Sequence, residues 1–186
     1  MTEKKVVLSI GLLVSNRKDT IKRCLDSLQS IREAIPCQLI ITDTGCDADL
    51  RITLEQYADT INEFTWCTDF AKARNANLSQ AVGEWYLYLD DDEWFVDTEE
   101  LIDFFKSGAY KKFEGACYVQ HNYQNMEGTL YSDDYVSRMI RLTEDTHFVG
   151  KIHEYLVPVP QKNCLLNSWV DHYGYAFKNE EETQKH

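Results

Sequence analysis

Apolar and polar residues alternate in blocks along the first half of the chain. Val6–Val14 is a nearly continuous apolar run, which is typical of a strand that is covered on both faces. Further apolar segments have the length of buried strands: Gln38–Thr42, Ile61–Trp66 and Trp85–Leu89. Helical patterns separate these segments, and such alternation predicts an α/β fold with a mostly parallel central sheet and helices on both faces.

The segments between these strands carry the apolar spacing and the end signals of helices. One face of the first predicted helix is formed by Ile21, Leu25, Leu28 and Ile31. Asp19 is its expected N-cap. Leu50–Tyr57 and Phe70–Ala81 are the next predicted helices, the latter with Asp69 as its N-cap. A capping-box pattern at residues 97–100 predicts another helix.

The second half of the chain predicts strands with little helical periodicity between them. The expected strands are Gly115–His121, Val136–Leu142, Ile152–Val157 and Leu165–Val170. We therefore expect a single domain over residues 1–186, with a parallel half at residues 1–97 and a mixed or antiparallel half at residues 98–177. Residues 178–186 are predicted to form a polar tail.

Composition and charge narrow the class of protein. Hydrophobic residues make up 44% of the chain, which is typical of a packed globular protein. The formal net charge of −12 opposes binding to long nucleic acid. The six cysteines are scattered without a C-x-x-C pair, and no apolar stretch reaches the roughly 18 residues of a membrane span. We expect a soluble, cytoplasmic protein with reduced thiols, and leave peripheral attachment to a membrane open.

Polar groups follow the ends of the predicted parallel strands. They are Ser15-Asn16-Arg17, Asp43, the Thr68–Asn75 region and Asp90–Glu93. Ligands of open α/β sheets bind in the crevice outside the carboxyl ends of the strands. The sequence therefore predicts a ligand site at this edge of the sheet.

The turn Asp90-Asp91-Asp92-Glu93 is the most informative of these groups. Its four adjacent carboxylates repel one another, and a hard divalent cation relieves that repulsion. Mn²⁺ or Mg²⁺ also keeps coordination positions for phosphate oxygens. The alternate residues Asp90 and Asp92 are both able to face such a cation. A solvated acidic loop is the alternative, and the buried strand that leads into the turn favours the metal.

Three blocks of the sequence carry a resemblance to a known family. They read SIGLLVSNRKDTIKRCLDSL, IITDTG and FAKARNANLSQAVGEWYLYLDDDEWF. In this order and spacing they resemble family 2 glycosyltransferases with the GT-A fold, and within these a bacterial branch with D-T-G, F-x-x-A-R-N and D-x-D-E blocks. The resemblance covers residues 6–175 and includes an I-H-E block and an H-Y-G-Y block. It implies a Rossmann-like GT-A fold with a nucleotide-binding half at residues 1–97 and an acceptor and catalytic half at residues 98–177.

The resemblance assigns the donor site to the strand ends. Ser15 and Asn16 would line the nucleotide pocket, and Asp43 would bind the uracil base, with a turn cap as the alternative for Asp43. Asp90 would hold the ribose or a metal-bound water. Asp92 would bind the Mn²⁺ or Mg²⁺ ion that bridges the two phosphates.

Four neighbouring residues have competing interpretations. Arg74 would approach the diphosphate or order the loop around it, and a surface helix arginine is the alternative. Asp91 is placed with the donor-binding residues, but for it and Glu93 a solvated acid is equally compatible with the sequence. Trp94 is either part of an acceptor platform or a packing residue.

The second half is expected to supply the base and to complete the metal site. Glu154, in the I-H-E block, would be the catalytic base, and an ordinary ion pair with Lys151 or Arg141 is the alternative. His172, in the H-Y-G-Y block, would bind the metal. A structural histidine is the alternative there, and His153 is the other candidate ligand.

These features predict an inverting glycosyltransferase that moves a sugar from a nucleotide-sugar, with UDP-sugar preferred, to an acceptor hydroxyl with the help of a metal. The acceptor is left open among a saccharide, a lipid-linked glycan and a peptide. A sugar-phosphate nucleotidyltransferase is the first alternative, although the loop Ser15–Lys18 lacks the glycines that cradle a triphosphate. A non-catalytic nucleotide-sugar-binding module of the same fold is the second.

Overall fold

The computed structural model describes residues 5–176, so the predicted tail at residues 178–186 lies outside the described residues. The first elements are β1 Leu8–Val14, α1 Lys18–Ser27, α2 Gln29–Ala34, β2 Cys37–Asp43, α3 Ala48–Glu55, β3 Thr60–Glu63, α4 Phe70–Leu78 and β4 Trp85–Asp90. They are followed by β5 Glu93–Asp97, α5 Glu99–Lys106, a short 3-10 helix Ala109–Lys112, β6 Gly115–Tyr123, β7 Tyr131–Arg141, β8 His147–Val149, β9 Tyr155–Val157 and β10 Asn163–His172. In the part of the chain that the structure describes, no helix combines the length and the apolar composition needed to cross a membrane.

One eight-stranded sheet, in the order β3-β2-β1-β4-β7-β6-β10-β5, organises the molecule. The strands β3, β2, β1 and β4 run parallel to one another. β7 is antiparallel to both β4 and β6, β10 is parallel to β6, and β5 is antiparallel to β10. β8 and β9 form a separate antiparallel pair. The predicted α/β class, with a parallel first half and a mixed second half, is therefore confirmed.

The two faces of β1 are covered differently. The main core lies on one face and includes Leu8, Ile10, Leu12, Ile21 and Leu25. Burying each such aliphatic side chain contributes about 1.5–3 kcal/mol. On the other face, a Cβ at Gly11 would stand 2.1 Å from the Tyr86 hydroxyl and 2.2 Å from Oδ1 of Asn77. A glycine at this position lets α4 approach the sheet closely.

The first predicted helix consists of two helices, and its expected N-cap is wrong. α1 ends at Ser27, and α2 begins at Gln29. Arg17 occupies the N-cap position of α1, and Asp19 lies inside the first turn. A carboxylate there still interacts favourably with the helix dipole. The apolar face is confirmed, because all four of its residues are buried, Leu28 at the junction included.

Two other end signals have different outcomes. Asp69 caps α4 as predicted, since its Oδ1 accepts a hydrogen bond from the Lys72 backbone N–H at 3.1 Å. The helix predicted from residues 97–100 is confirmed as α5, but its capping box is not formed: the hydroxyl of Thr98, at the N-cap, lies 3.1 Å from Ser30 Oγ. In the second half, the strand predicted at Ile152–Val157 is shortened to β9 because residues 151–153 form a bend. β5 is an additional strand that the sequence does not predict.

Candidate active site

The parallel register brings the predicted strand ends together. Val14 of β1 lies opposite Asp43 of β2, and Leu13 of β1 lies opposite Asp90 of β4. The loop after β1, the turn after β2 and the acidic turn after β4 are therefore neighbours at the carboxyl edge of the sheet. This is the edge at which the sequence predicts the ligand site.

Asp91 joins the acidic turn to the loop after β1. Its Oδ2 accepts hydrogen bonds from the backbone N–H and from the hydroxyl of Ser15, both at 2.9 Å. Burial raises the pKa of Asp91, and the Ser15 N–H and the Arg17 guanidinium oppose that rise. Because Asp91 is only 7% exposed, the alternative of a solvated acid is wrong for this residue.

Two arginines bind the carboxylate of Asp90. Arg138 Nη1 lies 2.9 Å from Oδ2, and Arg74 Nη2 contacts Oδ1. Burial works against ionisation, but the guanidinium groups of Arg138 and Arg74 hold the pKa of Asp90 well below its usual value. Both guanidinium groups also lie over the ring of Tyr88, at 4.9 and 5.0 Å. The two arginines thus favour the charged form of Asp90 and fix its position in the turn.

Glu93 is the most deeply buried acid of the turn. Its Oε1 lies 2.9 Å from Arg138 Nη2 and accepts a short hydrogen bond from Gln120 Nε2. Burial raises the pKa of Glu93 to about 8, although Arg138 opposes the rise. The solvated alternative is therefore also wrong for Glu93, which ties the turn to the interior of the sheet.

Asp92 faces His172 from the end of β10. The Nε2 atom of His172 lies 3.8 Å from Oδ1 of Asp92. The other ring nitrogen, Nδ1, lies 2.8 Å from Oδ1 of Asn122, whose Nδ2 donates to Asp134. An amide oxygen only accepts, so Nδ1 carries the proton and the neutral ring presents the lone pair of Nε2 to Asp92. Burial lowers the pKa of His172, which favours this neutral form.

This arrangement fits a divalent cation. An octahedral Mg²⁺ or Mn²⁺ with bonds of about 2.1 Å separates its ligand atoms by about 3 to 4 Å, and it commonly uses one or two protein ligands plus phosphate and water. Asp92 and His172 offer two donors at such a spacing. A Cβ at Gly174 would stand 2.6 Å from His172 Nε2 and 2.9 Å from Asp92 Oδ2, so a glycine keeps this space open. Among residues 5–176 no group of three or more His, Cys, Asp or Glu side chains converges on one point, and substrate oxygens would have to complete the shell.

Asp43 shapes a cleft at the end of β2. Its Oδ1 accepts from the backbone N–H groups of Gly45 and Cys46 at 2.9 and 2.8 Å, and its Oδ2 pairs with Arg51 at 2.9 Å. Burial works against ionisation, but these donors hold the pKa of Asp43 below its usual value. The cleft has a volume of about 480 Å³ and is lined by Asp43, Thr44, Gly45, Cys46, Glu63, Phe64, Thr65 and Trp66. Asn16 lies beside it, where its Oδ1 accepts from the Asp47 N–H at 3.3 Å.

Arg74 connects Glu154 to the acidic turn. Its Nε lies 3.2 Å from Oε1 of Glu154, and its Nη1 donates to the Leu89 carbonyl at 2.9 Å. Arg74 is only 1% exposed, so the alternative of a surface helix arginine is wrong. Glu154 thus pairs with Arg74 and not with Lys151 or Arg141, the partners that the sequence suggests.

Of the two candidate histidines, His172 is the one beside Asp92. His153 is exposed and has a positive φ of 56°.

Several residues of the site were not assigned a role from the sequence. They are Arg17, Gln120, Asn122 and Arg138, which contact Asp92, Glu93, His172 and Asp90 respectively. Arg138 carries a usable signal, because it interrupts an apolar strand segment and a buried guanidinium requires an acid beside it. Trp94 is 5% exposed and packs between Arg23 and Tyr173, at 4.1 and 5.3 Å, which supports the packing interpretation.

Residues 9–155 match the family described as Glycosyl transferase family 2. The chain belongs to this family. The matched range contains the strand ends, the acidic turn and Glu154, and His172 follows it. The resemblance to family 2 glycosyltransferases that the sequence blocks suggest is therefore confirmed for most of the chain.

Curated relatives of this family 2 member are longer than the chain. The SPbeta prophage-derived glycosyltransferase SunS of Bacillus subtilis is 28% identical over 173 residues, which cover 90% of this chain and 40% of that protein. A TPR repeat-containing protein of Synechococcus elongatus is 27% identical over 181 residues, which cover 91% of this chain and 42% of that protein. The chain spans about two-fifths of the length of these relatives.

Solved structures share the fold. TarS of S. aureus superposes with a TM-score of 0.52 at 20% identity, over 64% of this chain and 22% of that one. TarS 1-349 in complex with UDP gives a TM-score of 0.52 at 20% identity, over 63% and 36% of the two chains. The mannosyltransferase PcManGT of Pyrobaculum calidifontis, in complex with GDP-Man and Mn²⁺, gives 0.53 at 15% identity, over 75% and 45%. These similarities confirm the predicted GT-A fold.

Proposed function

We propose that the chain transfers a sugar from a nucleotide-sugar, with UDP-sugar preferred, to an acceptor hydroxyl with inversion and with the help of a divalent metal. The observation that carries the proposal is the approach of Asp92 and His172 to 3.8 Å at the carboxyl edge of the parallel strands. Family membership supports glycosyl transfer. The complexes of structural neighbours with UDP and with GDP-Man and Mn²⁺ support the donor class and the metal.

The donor would lie across the ends of β1, β2 and β4. The cleft beside Asp43 has room for a nucleobase, and a lone pair of the Asp43 carboxylate is able to accept from the N3–H of uracil. Ser15 and Asn16 would line the nucleotide pocket between this cleft and the acidic turn. Asp90 and Asp91, which are held by arginines and by Ser15, would fix the shape of the turn around the ribose and diphosphate.

Asp92 and His172 would hold Mn²⁺ or Mg²⁺. When bound, the metal would neutralise the charge that develops on the departing diphosphate. Neighbouring residues hold these two side chains in position before the metal binds. Asn122 fixes the His172 ring, and the contacts of Arg138 and Gln120 with Glu93 anchor the turn that carries Asp92. Such preorganisation lowers the cost of reaching the reactive geometry.

Glu154 would take the proton of the acceptor hydroxyl as that oxygen attacks the sugar from the side opposite the diphosphate. This single displacement inverts the configuration at the sugar carbon. Arg74 contacts Glu154 at 3.2 Å and also contacts Asp90, so it fixes the base relative to the acidic turn. The Glu154 side chain is 13% exposed, so the base is largely shielded from water but still reachable.

The acceptor class and the surroundings of the protein belong to the proposal as well. The hydroxyl of a saccharide, of a lipid-linked glycan or of a peptide would each be able to donate its proton to Glu154. The described thiols are free, in keeping with a reducing compartment, and we propose a cytoplasmic location on that basis.

The proposal is tested by measuring nucleotide release from a panel of UDP-, GDP- and TDP-sugars with Mn²⁺, for the wild type and for Glu154→Gln. The variant should bind UDP as the wild type does but lose about 10²–10⁴-fold in turnover, the contribution of a general base. Glu144→Gln, on an exposed loop, is the matched control and should keep full turnover.

The other outcomes separate the alternatives. Binding of a UDP-sugar by the wild type without any turnover would indicate a binding module. Formation of a nucleotide-sugar from a nucleoside triphosphate and a sugar phosphate would indicate a nucleotidyltransferase. Wild-type turnover in Glu154→Gln would contradict the assignment of the base.

A further inference from the structure

Arg17 contacts the same carboxylate, Asp92, that is proposed to bind the metal. Its Nη1 atom contacts Oδ2 of Asp92, and its Nε lies 3.7 Å from Oδ1 of Asp91. His172 Nε2 lies 3.8 Å from the other oxygen of Asp92. We propose that Arg17 is a built-in counter-ion that competes with the divalent cation for Asp92, and that the diphosphate of the donor releases this competition by giving Arg17 another partner. This inference rests on the proposed function.

The arginines of the site differ in how firmly they are held. The side chain of Arg74 is 2% exposed and that of Arg138 is 16% exposed. Arg74 reaches a backbone carbonyl and two acids, and Arg138 reaches two acids. The side chain of Arg17 is 51% exposed and extends from the N-cap of α1. Arg17 is therefore the arginine that is able to leave its acid with little change in packing.

Electrostatics sets the direction of the exchange. A guanidinium neutralises Asp92 in the absence of metal, and a divalent cation on the same carboxylate would repel it. The two cations therefore bind Asp92 at each other's expense, by an amount that is large at a site shielded from water. Asp92 is 6% exposed, so screening there is weak.

The position of Arg17 supplies the second half of the exchange. It follows Ser15 and Asn16 directly, in the loop proposed to line the nucleotide pocket. Arginine binds phosphate oxygens through paired N–H groups, and a diphosphate beside this loop would offer them. Nucleotide binding would therefore draw Arg17 away from Asp92 and favour the metal, so that the two ligands bind cooperatively.

The test is the dissociation constant of Mn²⁺, measured by titration calorimetry for the wild type, Arg17→Gln and Lys18→Gln, each with and without saturating UDP. Lys18 is the matched control, because it is the next residue, is 48% exposed and pairs with Asp47. Both variants remove one positive charge from adjacent positions at the start of α1, and only Arg17→Gln removes the contact with Asp92. Thermal unfolding of each variant verifies that it is folded.

Without UDP, Arg17→Gln should bind Mn²⁺ about five- to tenfold more tightly than the wild type, and with UDP this advantage should fall below about twofold, as expected when a coupling between two ligands is lost. Lys18→Gln should stay within about twofold of the wild type under both conditions. Equal or weaker Mn²⁺ binding by Arg17→Gln without UDP, or an equal gain in both variants, would overturn the inference alone. Absence of Mn²⁺ binding in all proteins, with and without UDP, would overturn the proposed metal-assisted function together with it.

Discussion

Each acid after β4 has its own partners. Asp90 is held by arginines of α4 and β7, Asp91 by the loop after β1, and Glu93 by β6 and β7. The sequence identifies this turn because adjacent carboxylates require compensation. It does not identify the partners, because they are distant in sequence: Arg138 is 48 positions from Asp90. Only the spatial arrangement shows that the largely buried Arg74 and Arg138 pair with Asp90 and Glu93, whereas Asp92 is paired with the half-exposed Arg17.

Arg138→Met should destabilise the fold by about 3–5 kcal/mol, because it leaves the buried Glu93 without its cation and Asp90 with Arg74 alone. Urea unfolding measures this loss. Adding Glu93→Gln to the variant should restore part of it, since a neutral amide replaces the unpaired carboxylate next to Gln120. A loss below about 1 kcal/mol, the range of exposed ion pairs, would show that Arg138 does not hold the turn.

Gly174→Ala should weaken Mn²⁺ binding by at least about tenfold, because the added Cβ falls between the two proposed ligands. Calorimetric titration with Mn²⁺ measures this effect. Gly108→Ala is the control: Gly108 has a φ of 77° with nothing within 4 Å of its Cβ position, so the substitution should lower stability and leave Mn²⁺ affinity unchanged. Unchanged Mn²⁺ affinity in Gly174→Ala would place the metal elsewhere.

Among the elements, α4 docks on the sheet through polar groups. Asn77 is buried, and its Nδ2 lies 3.1 Å from the carbonyls of Leu12 and Ile40 and 3.0 Å from the Thr42 hydroxyl. Its Oδ1 accepts from the Tyr86 hydroxyl at 2.7 Å. The same helix carries Arg74 to the site. Docking by directional bonds therefore fixes the position of Arg74 more strictly than an apolar face would.

Asn77→Leu should destabilise the protein by about 1–3 kcal/mol, because the substitution leaves the buried Tyr86 hydroxyl without its acceptor. Equilibrium unfolding in urea provides the measurement. Ser79→Ala, at the exposed end of the same helix, should change stability by less than about 0.5 kcal/mol. Equal stability of Asn77→Leu and the wild type would mean that α4 is held by its apolar contacts.

Apolar runs were sufficient to predict β1, β2 and β4, because central strands are covered on both faces. β5 is not predicted by this pattern. The segment Glu93–Asp97 is short, and its first residue, Glu93, is also the last acid of the acidic turn. The break between α1 and α2 is also hidden, since the apolar face continues through Leu28. Local patterns therefore predict strands and helices with a continuous apolar pattern. They miss a strand such as β5, which is formed by pairing with the distant strand β10.

On the scale of the whole molecule, sequence order and sheet order differ. The parallel half is predictable, because each strand–helix–strand unit places neighbouring strands side by side. The second half is not, because β7 inserts beside β4 and β10 pairs with both β6 and β5. These long-range pairings carry Asn122 and His172 to Asp92. One proposed metal ligand, Asp92, comes from the acidic turn that the sequence shows. The other, His172, reaches the site through the pairing of β10 with β6 and β5.

The net charge of −12 sets a condition on ligand binding by the whole molecule. A nucleotide diphosphate is repelled by such a field unless a cation is bound at the site. Arg74 and Arg138 are held by Asp90 and Glu93, and Arg17 is free for the phosphates only when a metal replaces it on Asp92, so the positive charge available to the phosphates depends on that metal. The central claim is therefore that UDP binding depends on a metal and on Asp92.

Calorimetric titration of UDP tests this claim most directly, in Mn²⁺ or in EDTA, for the wild type, Asp92→Ala and Asp103→Ala. Asp103 is an exposed acid on α5 and provides the matched control. EDTA should weaken UDP binding by the wild type at least about tenfold, the scale of losing a metal contact, and Asp92→Ala should bind UDP weakly under both conditions. Asp103→Ala should behave as the wild type. UDP affinity that changes neither with EDTA nor with Asp92→Ala would show that no metal at Asp92 takes part in donor binding.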